Sequence, residues 1–214
     1  MSGIPFPPIT ERLRMLDEAM ACILSLWKNE HTTFDGEFYH FKDAILWPKP
    51  IQQPHPPIIV GGGGKGLLRI AAKYADYVNV IPDAGKRGYI SMEVARKMTN
   101  DSFREKVSFI REEAKRLGRK PDAVRISNFV FMTVISESKE ASRKTVEMMA
   151  PMFQQTPEQL LASPLMLIGT PEECIAELKR RAKEWGTSQV IFTGEVGQNE
   201  ELMRDLREKV LVHV

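Results

Sequence analysis

The chain has 214 residues, 43% hydrophobic and 27% charged, the composition of an ordinary globular protein, which excludes collagen-like, disordered and disulfide-stapled classes. Thirty Lys and Arg against 28 Asp and Glu leave +2, so nothing in the charge balance provides a footprint for nucleic acid or an acidic membrane surface. Cys22 and Cys174 stand far apart and form no C-x-x-C, no apolar run approaches the ~18 residues of a membrane span, and the N-terminus lacks the basic and apolar regions of a leader, so a cytoplasmic protein acting on small molecules is expected.

Leu13, Leu16, Met20, Ile23, Leu24 and Trp27 fall at helical spacing and predict an amphipathic helix over 10–28, with Thr10 as N-cap and Glu11 in its first turn. In Thr32 to Tyr39, Asp35-Gly36 is suited to the positive φ angles of a tight turn and predicts a β-hairpin. Pro48, Pro50, Pro54, Pro56 and Pro57 forbid helix and predict an extended lead-in to an apolar strand at 57–61. A short helix over Leu67 to Ala75 and a second strand at Tyr77 to Ile81 follow. Phe103, Val107, Ile110, Ala114 and Leu117 then make the apolar stripe of a long helix with Gly118 as C-cap. Nine basic residues lie between Arg96 and Lys120, but four acids are interleaved, the pattern of a solvated helix face.

A third strand is expected within Val124 to Ile135 and a helix over 138–154. Thr156-Pro157-Glu158-Gln159 and Thr170-Pro171-Glu172-Glu173 both read as capping boxes with proline at the first helical position. The second opens a helix with Ile175, Leu178, Ala182 and Trp185 inward, stopped by Gly186. Ser188 to Thr193 forms a fourth strand, and a last helix ends the chain.

Strands separated by helices imply a parallel sheet with right-handed crossovers, either an open doubly wound sheet or a (β/α)8 barrel. Only four strand-helix units are present, the opening helix has no strand before it, and four parallel strands cannot close. The expectation is half of a fold, with two unpaired edges and an apolar inner face of the kind another chain covers.

The stretch most informative for chemistry is Pro57-Ile58-Ile59-Val60-Gly61-Gly62-Gly63-Gly64-Lys65-Gly66, a buried strand running through glycines into a helix. Glycines there admit a ligand close to the backbone, with helix N-terminal N–H groups facing phosphate or a polar ring edge. Gly61, Gly63 and Gly66 formally match G-x-G-x-x-G, with Asp83 near the distance of a ribose contact, so an NAD-binding Rossmann domain is one alternative. A plain turn without ligand is another. Leu67 and Leu68 stand where a P-loop needs Lys and Ser/Thr. At strand C-termini, Asn79, Asp83, Thr193 and Glu195 are candidates to touch a ligand, Asn79, Asp83 and Glu195 as substrate contacts. His31, His40, His55 and His213 do not follow strands and read as surface residues; Glu112-Glu113 and Glu172-Glu173 point about 100° apart on their helices and read as solvated. Met148, Met149, Met152 and Met166 read as apolar filler. No catalytic side chain and no metal site emerges from spacing.

Gly3-Ile4-Pro5-Phe6 leading to Glu11-Arg12, Leu26-Trp27, Phe34-Asp35-Gly36-Glu37-Phe38-Tyr39, Pro48-Lys49-Pro50-Ile51-Gln52, Pro56 through Gly64 and Leu68-Arg69-Ile70-Ala71-Ala72-Lys73-Tyr74-Ala75-Asp76 resemble the luciferase-like monooxygenase family, in order and spacing most like its coenzyme F420 (deazaflavin) dependent branch. Gly169-Thr170-Pro171-Glu172-Glu173 is similar to the family's late signature. The resemblance covers nearly the whole chain and aligns with the C-terminal part of the family pattern. It implies one domain over 1–214, the C-terminal half of a TIM-type barrel, with a hairpin and Pro-rich insertion at 30–56. It also implies a flavin-like ring across the barrel mouth, with Gly61, Gly62, Gly63 and Gly64 clamping the cofactor's tail and phosphate. The implied activity is hydride transfer between reduced F420 and a small organic substrate. FMN-dependent oxygenation is the nearest alternative. A non-catalytic truncated barrel, completed by a partner half or by a second copy, is the alternative of another class.

Overall fold

In the computed structural model, which describes residues 6–85, 90–193 and 199–214, the chain opens on α1 (Ile9–Lys28). Pro8 is the N-cap, its carbonyl accepting the N–H groups of Glu11 and Arg12, both at 3.0 Å; Thr10 therefore lies inside the first turn and is not the cap. Met20 and Cys22 are buried, whereas Ile23 faces outward. The hairpin pairs β1 (Thr32–Asp35) with β2 (His40–Ala44) antiparallel. Its connection is the segment Gly36 to Tyr39, closed by Gly36 N–H to the Tyr39 carbonyl at 3.0 Å, and not the tight turn expected at Asp35-Gly36.

The main sheet has the order β3 (Ile59–Gly62), β4 (Tyr77–Val80), β5 (Arg125–Val130), β8 (Thr187–Phe192), every pair parallel. Its crossovers carry α2 (Lys65–Tyr74), α3 (Met92–Arg96), α4 (Asn100–Arg116) and α7 (Pro171–Trp185). Alternation decides the two faces: Val78, Val80 and Ile126 join Leu68, Ala71 and Ala72 of α2, Phe103, Val107 and Ile110 of α4, and Trp185 in one buried cluster. On the opposite face Ile59 is 51% exposed. This is an α/β architecture with its helices on one side, a partial TIM-type barrel. A doubly wound sheet carries helices on both sides, so the Rossmann alternative fails.

The third strand expected over 124–135 is two strands. The Leu165 carbonyl accepts the N–H groups of Phe131 at 2.8 Å and Met132 at 3.2 Å, drawing the chain out of the main sheet. Beyond that break β6 (Met132–Ile135) pairs in parallel with β7 (Met166–Gly169), a short strand hidden in what reads as Met-rich filler. Between them run α5 (Lys139–Met149) and α6 (Pro157–Leu161); α5 stops short of residue 154 because Pro151 has no N–H to continue it. Met149 and Met166 are buried, Met148 and Met152 exposed.

Both capping boxes form as expected, at Thr156–Gln159 and Thr170–Glu173. Gly118 (φ +75°) and Gly186 (φ +68°) end α4 and α7 in the left-handed region. Leu117 is 37% exposed and does not complete the α4 stripe. On α7 the buried face is Cys174, Leu178, Arg181 and Trp185, so a guanidinium occupies the inward position expected for Ala182. The chain ends in α8 (Glu200–Asp205), which continues through a π-turn that buries Leu206 and Val210 against α7.

Candidate functional site

The four glycines run off the C-terminal end of β3, beside the end of β4, where ligands of parallel α/β sheets sit. They differ in what surrounds them. The Gly62 carbonyl accepts the Ile81 N–H at 3.2 Å, and a Cβ on Gly62 would run into the Leu67 side chain. A Cβ on Gly63 would run into the Ile81 carbonyl and stand 2.7 Å from the Asp83 nitrogen, because this peptide lies directly on segment 81–83. Gly64 is the N-cap of α2, and a Cβ there would stand 3.1 Å from Asp83 Oδ1. A Cβ on Gly61 would meet nothing nearer than Asn79 Cβ at 4.0 Å.

No side chain caps α2, and its first turn holds Lys65 and no acid. The N–H groups of that turn have no intrahelical carbonyl to bond, and the positive end of the helix dipole stands beside them. They border a cavity of about 500 Å³ between Ile9 and Arg12 on α1, the glycine segment, and residues 81–85. The uncapped helix N-terminus, the glycine stretch of the wall, and Arg12 and Lys65 in the lining suit a phosphate on a slender tail, with Asp83 the one acid among the described residues of the lining. The residues therefore fit the phosphate-bearing end of a flavin or deazaflavin cofactor.

Lys106, on α4, reaches the loop from its outer side and donates from Nζ to the Gly63 carbonyl at 2.7 Å. Burial depresses its pKa; nearby Asp83 and Glu105 oppose that, and Lys65 adds to it. A second cavity of about 780 Å³, between α2 and α4, shares Gly63 and Lys65 with the first and holds Lys106 in its wall. The cavity on the inner side is the better ligand site, since it opens at the strand ends.

On the face of the sheet turned away from the helices, Gly61, Asn79, Ser127 and Gln189 stand in one row, each in register with the next. Asn79 Oδ1, Ser127 Oγ and Gln189 Oε1 are buried without a hydrogen-bond partner, and Ser127 is fully buried. An orphaned buried acceptor costs about 1–3 kcal/mol, and three of them fall in this one row.

Of the expected contacts, the structure brings Asn79 and Asp83 beside the glycines and separates their roles. Asn79 belongs to the row. Asp83 is exposed and its Oδ1 accepts the Gly85 N–H at 3.0 Å, an Asx-type turn under the loop. Thr193 gives its N–H and hydroxyl to the Val130 carbonyl. Glu195 lies outside the described residues. His31 and His40 pair with Asp43 and Asp35 on the hairpin, while His55 is half-buried and stacks on Trp27 at 5.9 Å, so it is not a surface residue. The Cys174 thiol, buried beside Glu173, is pushed up to about 12 and is no nucleophile. Among the described residues no cluster of His, Cys, Asp or Glu would hold a metal, and no helix is long and apolar enough to cross a membrane.

Sequence reasoning missed Ser127, Gln189 and Lys106. A signal existed for two: Ser127 follows Ile126 inside a strand as Asn79 follows Val78, and Lys106 sits three residues after Phe103, at the edge of the buried stripe, whereas Gln189 follows the polar Thr187 and Ser188 and does not stand out.

The sequence pattern of the luciferase-like monooxygenases matches residues 2–189. Among curated relatives, an F420-dependent glucose-6-phosphate dehydrogenase of Amycolatopsis mediterranei is 24% identical over 222 aligned positions, covering 99% of this chain and 64% of its own length. An FMNH(2)-dependent dimethylsulfone monooxygenase of Pseudomonas putida is 35% identical over 75 positions, 35% of this chain and 21% of its own length. Among solved structures, a riboflavin lyase in complex with modified FMN and riboflavin superposes with a TM-score of 0.72 at 14% identity, over 98% of this chain and 58% of the lyase. The chain thus spans less than two thirds of the relatives that match it end to end.

Proposed function

Because the chain belongs to the luciferase-like monooxygenase family, we propose that it is the C-terminal part of an oxidoreductase that moves hydride between reduced F420 and a small organic substrate. Gly61, Gly62, Gly63 and Gly64 hold the cofactor's phosphate-bearing tail, with Asn79 and Asp83 as substrate contacts. The cofactor supplies the redox chemistry; this chain's residues bind, orient and exclude water. The observation that carries the reading is the uncapped N-terminus of α2 opening on a cavity walled by glycine backbone. The matched length of the F420-dependent relative, which extends over 99% of the chain, supports F420 over FMN. A cytoplasmic setting suits the two buried, unbridged thiols.

FMN-dependent oxygenation is the second reading, favoured by the stretch shared with the dimethylsulfone monooxygenase. Oxygen separates the two, since a deazaflavin lacks the N5 through which reduced flavins activate it. Turnover with reduced F420 under anaerobic conditions is expected; an absolute oxygen requirement overturns the F420 reading.

Residues 1–214 form one partial barrel domain with 30–56 as its insertion, and the open face is covered by further strands, from a partner half or a second copy. The row of orphaned acceptors supports this, because all-parallel sheets are normally covered on both faces. Light scattering on the purified chain tests it: a stable, monodisperse monomer contradicts an obligate cover.

A further inference from the structure

One carbonyl of the glycine loop, that of Gly63, is held by a side chain from outside the loop. The Lys106 ammonium sits on the Gly63 carbonyl at 2.7 Å, on the side of the loop turned toward α4. A trans peptide is planar, so its C=O and the following N–H point in opposite directions. With the Gly63 oxygen held on the α4 side, the Gly64 N–H points away from α4, and Gly64 lines the cavity bounded by Ile9, Arg12 and residues 81–85. Glycine has the widest choice of backbone angles, so at Gly63 and Gly64 no side chain fixes this plane and the partners of the carbonyl help to set it; φ of Gly64 is −80°.

We propose that Lys106 is a positioning residue for phosphate recognition: by holding the Gly63 carbonyl it aims the Gly64 N–H, together with the first turn of α2, at the phosphate of the cofactor. This rests on the reading of the glycine segment given above. Lys106 acts through the loop and touches no reacting atom. Segment 81–83 supports the same peptide from the other side, so Gly63 is held between an ammonium and a backbone.

The test compares ligands that differ in the phosphate. The whole chain, as wild type and as Lys106→Met, Lys106→Gln and Lys106→Arg, is titrated by fluorescence with F420 and with its phosphate-free riboflavin-level core, and in parallel with FMN and riboflavin, while circular dichroism reports folding. Lys106→Met is expected to weaken the phosphate-bearing ligands about tenfold while leaving the phosphate-free ones nearly unchanged. Lys106→Arg and Lys106→Gln keep a donor for the carbonyl and should retain most of the phosphate preference. Equal weakening of both ligand classes would mean a structural role only and overturn the proposal, as would a Lys106→Met protein with its preference intact. Lys106→Arg behaving like Lys106→Met would show that a donor at this carbonyl does not sustain the preference, which also overturns positioning. If the wild type binds none of the four ligands, the reading of the glycine segment itself falls; if it binds them and only the Lys106 variants disagree, this inference falls alone.

Discussion

The Glu18 carboxylate occupies the space that a side chain on Gly36 would fill: a Cβ at 36 would stand 2.8 Å from Glu18 Cδ and 2.6 Å from Phe34 Cε1. From α1 this carboxylate accepts the N–H groups of Glu37 at 2.8 Å, Phe38 at 2.9 Å and Tyr39 at 3.3 Å. Gly36 is thus required by a close approach, and not by the positive φ that its place after Asp35 suggests. Gly36→Ala should lower stability by about 1–3 kcal/mol through overpacking, read from thermal melts; an unchanged melting temperature would refute the contact.

The same contact gives a pH dependence. The Phe38 N–H, first among the backbone donors, holds the Glu18 carboxyl below its ordinary range. A carboxyl whose pKa is depressed on folding stabilises the fold above its unfolded value and loses that contribution as pH falls through the folded value. Amide exchange at 37–39, corrected for intrinsic rates, should therefore stay slow at neutral pH and accelerate below the ordinary glutamate value of about 4.3. In Glu18→Gln this acid transition should disappear.

Arg181 is buried at 1% exposure and ties three elements together. It donates to Asn128 Oδ1 on β5 at 2.7 Å, to the Pro164 carbonyl at 3.1 Å, to the Met166 carbonyl on β7, and to Glu177 at 2.7 Å on its own helix. Removing it leaves several buried acceptors orphaned, so Arg181→Met should cost about 3–5 kcal/mol. For a chain of this size that is a fall of roughly 6–20 °C in melting temperature. Arg181→Lys should recover little, since an ammonium cannot span these acceptors as a planar fork does.

How far the sequence announces this architecture depends on which interaction fixes each element. Strands β3, β4 and β8, the capping boxes and the glycine stops are local matters of apolar runs, hydroxyl-to-backbone bonds and left-handed residues, and they stand where periodicity and turn chemistry place them. The division of β5 from β6 depends instead on the Leu165 carbonyl, more than thirty residues away, and no window around Phe131 contains it. Arg181 defeats the hydrophobic stripe of α7 for a related reason: its partners on β5 and near β7 are distant in sequence. At the site, the glycines are legible as a close-approach segment, but the separation of Gly61 from the packed Gly62, Gly63 and Gly64 arises from segment 81–83 and Leu67, which only folding brings against them.

Ser127 tests the polar row directly. Its hydroxyl is fully buried and unpartnered, so in the isolated chain Ser127→Ala removes an unmet acceptor and should raise stability by about 1 kcal/mol, roughly 2–4 °C in melting temperature. A destabilised isolated chain would show that the hydroxyl is already satisfied there.

The glycine segment can be probed so that binding and folding separate, provided the position is chosen by its surroundings. Gly63→Ala drives a methyl group into the 81–83 backbone, which cannot yield as a flexible side chain can, so stability should fall by about 1–3 kcal/mol and binding with it. Gly62→Ala strikes the Leu67 side chain, which can turn aside, and should be milder. Gly61→Ala is the informative substitution. Its Cβ has open space ahead, 4.0 Å from Asn79 Cβ, so the fold should tolerate it, while the new methyl group stands on the uncovered face beside the cavity. Melting temperature within ~2 °C of wild type, accompanied by about tenfold weaker F420 binding, a loss of 1.4 kcal/mol, is the expected pair of results. Unchanged affinity in Gly61→Ala would mean that no ligand approaches the strand at this point, and the cofactor would have to be placed beyond the glycine segment.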